Sequence, residues 1–160
     1  MLIPGIELFD VVLTLHILAV VIAFGVSFAF PLLVGYARRQ QPADLAALHR
    51  FQGLLTQRLI TPAMGVVLAA GLYLALDRYS LGDPWISATF AILLVLFGLA
   101  GAVFTPTEQR CAQLADRDRM AGGGPSEEYE AQARKLAIFS SVWYLLVIVA
   151  IFLMTAKPGA

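Results

Sequence analysis

Charged residues are scarce in this 160-residue chain, and their scarcity excludes an ordinary water-soluble domain. Asp, Glu, Lys and Arg make up 14% of the sequence, whereas soluble domains contain about 25%. Hydrophobic residues make up 59%. The eleven basic residues balance the eleven acidic ones, so the net charge gives no sign of a nucleic-acid partner and none is expected. This composition predicts a protein embedded in membrane lipid.

Cysteine is almost absent as well. The single residue of this type, Cys111, excludes an internal disulfide and any metal cluster built from several cysteines of one chain. No Lys or Arg precedes the first apolar run, and that run is too long for the core of a signal peptide. We therefore expect it to remain in the protein as a membrane helix.

Four apolar segments are long enough to cross a bilayer, whose core takes about 20 helical residues. They are predicted at about 9–36, 54–76, 85–105 and 136–156. Because these runs are continuously apolar rather than alternating, they favour helices over strands. The sequence thus predicts an all-α, antiparallel four-helix bundle forming a single transmembrane domain over residues 1–160. The connections 37–53 and 106–135 are expected to be largely helical, with a break at 121–125 (AGGGP) and Ser126 as the next N-cap.

The basic residues are distributed unevenly along the chain, which predicts an orientation. Nine of the eleven lie in or beside the connections 37–53 and 106–135, and only Arg78 and Lys157 lie on the other side. Lys and Arg concentrate in cytoplasmic loops. Both connections are therefore expected in the cytoplasm, with both termini outside the cell's inner (plasma) membrane.

His16 is the ionisable residue that lies deepest in the first span. It follows Asp10 by six residues, or about 9 Å along a helix. Ionisable groups at such depth are rare and usually face the bundle interior. A neutral imidazole there can ligate a haem iron or another transition metal, or relay a proton. The alternative is a structural histidine that is hydrogen-bonded to Thr14, a serine or a backbone carbonyl.

Three further polar residues have both a functional and an ordinary interpretation. His49 is predicted to be an interfacial histidine about a membrane thickness from His16, too far to share a metal ion with it. A haem iron on His16 would need a ligand of another type, an open position or a neighbouring subunit's ligand. Arg58 can bind a lipid headgroup or a cofactor carboxylate such as a haem propionate, or simply snorkel to the interface. Lys157 can anchor the terminus or touch a ligand near His16.

Several segments resemble a known group of membrane proteins. Residues 15–21 (LHILAVV) and 28–32 (FAFPL) resemble the first haem-associated helix of HemJ-type protoporphyrinogen oxidases. Residues 58–64 (RLITPAM) and 71–74 (GLYL) resemble the next helix, and 154–158 (MTAKP) is similar to the Lys-Pro ending. The CopD copper-resistance membrane domain shares these features. The chain most resembles an uncharacterised family of four-helix bacterial membrane proteins that also has them.

The resemblance implies a haem b ligand at His16 and a functional lysine at Lys157. Residues 138–143 (IFSSVW) stand where a HemJ enzyme would have an Arg-Asn-Glu cluster, which favours haem binding over protoporphyrinogen oxidation. Two function classes stay open. One is a haem-binding redox membrane protein, with or without enzymatic activity. The other is a non-catalytic membrane subunit that supports small-solute or metal movement, or that oligomerises through a small-residue pair such as Gly98 and Ala102.

Overall fold

The computed structural model describes residues 7–158, which form four long helices with no β-strand within that range. We label them in chain order α1 (Leu8–Gln40), α2 (Pro42–Arg78), α3 (Pro84–Met120) and α4 (Glu127–Ala156). At a rise of 1.5 Å per residue they are about 45–55 Å long, whereas the hydrocarbon core is about 30 Å thick. All four are long and apolar enough to cross a membrane. The predicted all-α membrane bundle is confirmed.

The helices continue well beyond the apolar segments. Gln41 is the single residue between α1 and α2, and its backbone angles (φ −144°, ψ 63°) reverse the chain. The connection predicted at 37–53 is therefore almost entirely helix. In the link between α3 and α4, Gly122 adopts a left-handed conformation with φ 71°. Ser126 caps α4 as predicted, because its Oγ accepts a hydrogen bond from the Tyr129 backbone N–H at 3.3 Å.

Buried residues form three clusters along the bundle axis. The central cluster includes Met64, Leu96 and Val147, each at most 2% exposed. A second cluster lies at the arginine-rich end, around Tyr129, and a third lies at the opposite end, around Trp85. The outward helix faces keep many large apolar side chains exposed, and this is the surface that lipid would cover. At the arginine-rich end, ion pairs connect α1 to α4, α2 to α3 and α3 to α4 through Arg38–Glu130, Arg50–Asp116 and Arg117–Glu128.

Three of the helices contain an irregular turn. Five-residue π turns occupy Val21–Gly25 in α1, Thr56–Ile60 in α2 and Ala100–Phe104 in α3. The turns in α2 and α3 are each followed by a Thr-Pro pair. A proline has no backbone N–H to donate. The first carbonyl of each π turn accepts the backbone N–H of the threonine before the proline and also its hydroxyl, at 2.8 Å for Thr61 and 3.0 Å for Thr105. Pro62 and Pro106 thus lie inside continuous helices.

Candidate functional site

Two cavities between the helices contain most of the buried polar side chains. One, which we call the His16 cavity, has a volume of about 270 Å³ and is lined by residues of all four helices, including His16, Trp85 and Lys157. The other, the Glu108 cavity, has a volume of about 280 Å³ and lies toward the arginine-rich end. The central apolar cluster contributes residues to the walls of both.

The His16 ring faces α2 in the bundle interior. The residue is only 6% exposed, and its Nδ1 lies 3.1 Å from the backbone oxygen of Val67. Because a carbonyl can only accept a hydrogen bond, Nδ1 must carry the proton. This fixes the tautomer and leaves a lone pair on Nε2, which has no hydrogen bond to any described residue. The imidazole is therefore in the form that can ligate a metal.

Gly71 makes room for the imidazole on α2. A Cβ atom added to Gly71 would lie 3.1 Å from Cε1 and 3.5 Å from Nδ1 of His16. The shorter distance is tighter than ordinary van der Waals contact, so a larger residue would push the ring away from α2. The glycine at this position therefore sets how closely α1 and α2 approach at the level of His16.

Two hydrogen-bond donors lie at the other wall of the His16 cavity. Lys157 follows the last residue of α4 with a left-handed backbone (φ 44°), which is unusual for a residue other than glycine. Its Nζ donates to the hydroxyl of Tyr79 at 2.6 Å and lies 5.7 Å from the centre of the Trp85 ring. The Trp85 Nε1 donor is buried and has no partner among the described residues. Lys157 and Trp85 together can receive an anionic group.

Arg58 is not part of this arrangement. It is exposed, belongs to the π turn of α2 and lines neither cavity. It precedes Val67 by nine residues, which corresponds to about 13 Å along the helix. The structure thus brings Lys157, but not Arg58, to His16. Among residues 7–158 no group of three His, Cys, Asp or Glu side chains is close enough to hold a metal ion, so protein ligands at His16 would be few.

The Glu108 cavity contains a carboxyl group that the sequence had not indicated. Glu108 is 2% exposed and pairs with no Lys or Arg of the described chain. Its Oε2 lies 3.3 Å from the hydroxyl of Thr56, which also contacts the Gln52 backbone oxygen at 3.0 Å. A hydroxyl has one proton to donate. Thr56 therefore shares its one proton between the Gln52 carbonyl oxygen and the Glu108 carboxyl oxygen, and the longer contact leaves the carboxyl group weakly hydrogen-bonded.

His49 lies beside this carboxyl and is not a surface residue. It is 1% exposed, and its Nε2 lies 2.9 Å from the hydroxyl of Tyr129 on α4. Its Nδ1 and the Oε1 of Gln52, both on α2 and buried, have no hydrogen-bond partner in the described part of the chain. The expectation of an ordinary interfacial histidine is therefore corrected, because the helices extend past the apolar segments and enclose this position.

The irregular turns place these polar residues around one space. The π turns of α2 and α3 contribute Thr56, Ile60, Ala100 and Phe104 to the walls of the Glu108 cavity. Such turns often mark functional sites. The repeated Thr-Pro pairs at 61–62 and 105–106 are the sequence signal that could have pointed to this region.

Comparison with known proteins gives one match, and it agrees with the helical architecture. No curated protein and no solved structure matches the chain. Residues 10–158 match a family described as predicted integral membrane protein (DUF2269). The match covers all but the ends of the chain, from the first turn of α1 to the residue after Lys157. The protein therefore belongs to the DUF2269 family of integral membrane proteins.

Proposed function

We propose that the protein binds haem b in the His16 cavity, where Nε2 of His16 would ligate the iron. The observation that carries this proposal is the free Nε2 lone pair of a buried histidine whose Nδ1–H is held by Val67. Metal-binding histidines commonly donate their other ring nitrogen to a carbonyl or carboxylate in this way. Bound haem would supply one-electron redox chemistry or small-ligand binding.

The other residues of the His16 cavity fit this cofactor. The walls are mainly aromatic and aliphatic, as suits a flat apolar macrocycle. Lys157 and the unpaired Trp85 N–H can hold a propionate. Met154 also lines the cavity, and a thioether is one of the known second ligands of haem iron. Arg58, outside the cavity, is proposed to contact a lipid headgroup or a propionate that extends to the interface.

An absorption titration tests the proposal. Detergent-purified protein is titrated with haemin, reduced, and compared with His16→Ala and with His49→Ala, which removes the other buried histidine outside the cavity. We expect one haem per chain and a sharp Soret band in the wild-type protein and in His49→Ala. His16→Ala should lose at least 90% of the bound haem while it retains its helical circular dichroism.

Equal haem content in His16→Ala and wild type would contradict this assignment. So would wild-type protein that takes up no haem at a tenfold excess of haemin over protein.

A second function is favoured by the Glu108 cavity. A buried carboxyl group inside a membrane bundle is a common feature of solute and proton paths. We infer that a non-catalytic role in small-solute movement would use this cavity rather than the His16 cavity. Uptake of a radiolabelled solute into proteoliposomes, compared between wild type and Glu108→Gln, tests this role.

A further inference from the structure

Buried polar groups of the Glu108 cavity lack the partners that would make them purely structural. The carboxyl group of Glu108 has Thr56 as its one recorded hydrogen-bond partner, and the Oε1 of Gln52 has none in the described chain. Leaving such groups unsatisfied in a buried site is unfavourable, because they lose their hydrogen bonds to water on burial. A bound ligand with a positive charge and a hydrogen-bond donor would satisfy both of them.

Four aromatic rings form part of the wall, beside aliphatic and small side chains. Phe30, Phe104, Trp143 and Tyr144 all line the cavity, and the Phe104 and Trp143 rings pack edge to face with centres 5.2 Å apart. The faces of aromatic rings attract cations, and quaternary ammonium groups are commonly bound by such rings together with a carboxylate. The combination of several rings with one acid is therefore selective for an organic cation.

Other ligand classes fit the cavity less well. A divalent metal ion needs several oxygen or nitrogen ligands, and no three His, Cys, Asp or Glu side chains converge anywhere in residues 7–158. An anion would need an unpaired cationic side chain, and the guanidinium of Arg38, which lines this cavity, is already paired with Glu130. A fully apolar ligand would leave Gln52 unsatisfied.

We infer that the Glu108 cavity binds a small alkylammonium ion, with the Glu108 carboxylate as its counter-ion and the aromatic rings as its walls. This inference names the solute class of the second proposed function and does not depend on haem at His16. Glu108 is 2% exposed and pairs with no Lys or Arg of the described chain, and such burial favours its protonated form while no cation is bound. When the cation enters, the carboxyl O–H bond breaks, one proton passes to water, and the carboxylate pairs with the ammonium group.

Several other titratable groups surround this carboxyl and must be separated from it experimentally. They come from every helix packed around it: Arg38 of α1, His49 of α2, Cys111 of α3, and Tyr129 and Tyr144 of α4. Of these, His49 is the group that ordinarily titrates between pH 6 and 8. A Glu108→Gln variant removes the carboxyl and leaves all the others in place.

Calorimetric titration with choline chloride at pH 6 and pH 8 tests the inference. Because one proton leaves for each cation bound, the affinity should rise about tenfold per pH unit as long as Glu108 is protonated in the free protein. The uncharged analogue 3,3-dimethyl-1-butanol, which has the same shape, should bind at least tenfold more weakly at pH 8. In Glu108→Gln, choline affinity at pH 8 should fall at least tenfold and become nearly independent of pH.

A matched control variant distinguishes loss of the binding site from general disruption of the fold. Glu127→Gln removes an exposed carboxyl outside the cavity and should leave choline binding unchanged.

Equal choline affinity in Glu108→Gln and wild type, or equal affinity for choline and its neutral analogue, would overturn the inference. The absence of any calorimetric signal up to 10 mM choline at pH 8 would overturn it too. Binding that is intact but gives no uptake into proteoliposomes would leave the site standing and refute solute movement.

Discussion

At the scale of single residues, the two buried histidines differ in what their rings can do. His16 has one ring nitrogen held by a backbone carbonyl and the other free beside a cavity. The recorded partner of His49 is the Tyr129 hydroxyl, which can either donate or accept, so its tautomer is not fixed in the same way. This difference makes His16 the better candidate for a metal ligand, although both histidines are buried.

A substitution at Gly71 should weaken haem binding without touching the histidine itself. In Gly71→Ala the new Cβ would lie 3.1 Å from Cε1 of His16, so the ring must shift and its hydrogen bond to Val67 must lengthen. We expect haem affinity to fall about tenfold in the absorption titration. Gly65→Ala is the matched control, because a Cβ at Gly65 meets nothing within 4 Å. A Gly71→Ala protein with wild-type affinity would show that this close approach does not position the ring.

At the scale of helices, the sequence predicts the type and number of the secondary-structure elements well. It predicts less well which face of each helix is buried and how far each helix extends. Apolar run length alone predicted all four spans. The extension of α3 to Met120 was also expected. The burial of Glu108 was not expected, because the predicted apolar span ends at residue 105 and the sequence gives no sign of what covers the helix beyond it. That burial depends on α2 and α4 packing against the extension, which no local pattern in α3 can reveal.

The small residues of α3 should mediate self-association. Gly98, Gly101 and Ala102 all lie on the exposed surface of the bundle, and a Cβ at either glycine meets nothing within 4 Å. Such surfaces let two membrane helices approach closely. We expect Gly98→Leu to raise the dimer dissociation constant at least fivefold in sedimentation or crosslinking experiments in detergent. Gly65→Leu on α2 is the control and should leave the dissociation constant unchanged. Wild-type protein that stays monomeric at every concentration would contradict self-association through α3.

At the scale of the whole molecule, the charge distribution predicts an orientation that can be tested by labelling. Native Cys111 is fully buried and is unsuitable for this purpose, so a Cys111→Ala background is needed. In that background, Leu81→Cys in the short link between α2 and α3 should react with an impermeant maleimide in intact cells. Met120→Cys, at a position 82% exposed, should react only after the cells are opened. The reverse pattern would invert the proposed topology.

The site as a whole could be predicted from sequence only in part. His16 and Lys157 were singled out from depth and resemblance, and the structure places both at one cavity. Gly71 and Trp85 were not singled out as site residues, because their roles depend on which residues of other helices face them. The same holds for Gln52, because the burial of its side-chain oxygen away from hydrogen-bond donors depends on how the helices pack together.

The two cavities are proposed to be separate ligand sites, one at His16 and one at Glu108. The most direct measurement is a paired titration of haemin and choline on wild type, His16→Ala and Glu108→Gln in the same detergent. We predict that His16→Ala loses haem and keeps choline, whereas Glu108→Gln keeps haem and loses choline. Loss of both ligands in either variant, or of neither ligand in both, would contradict the account.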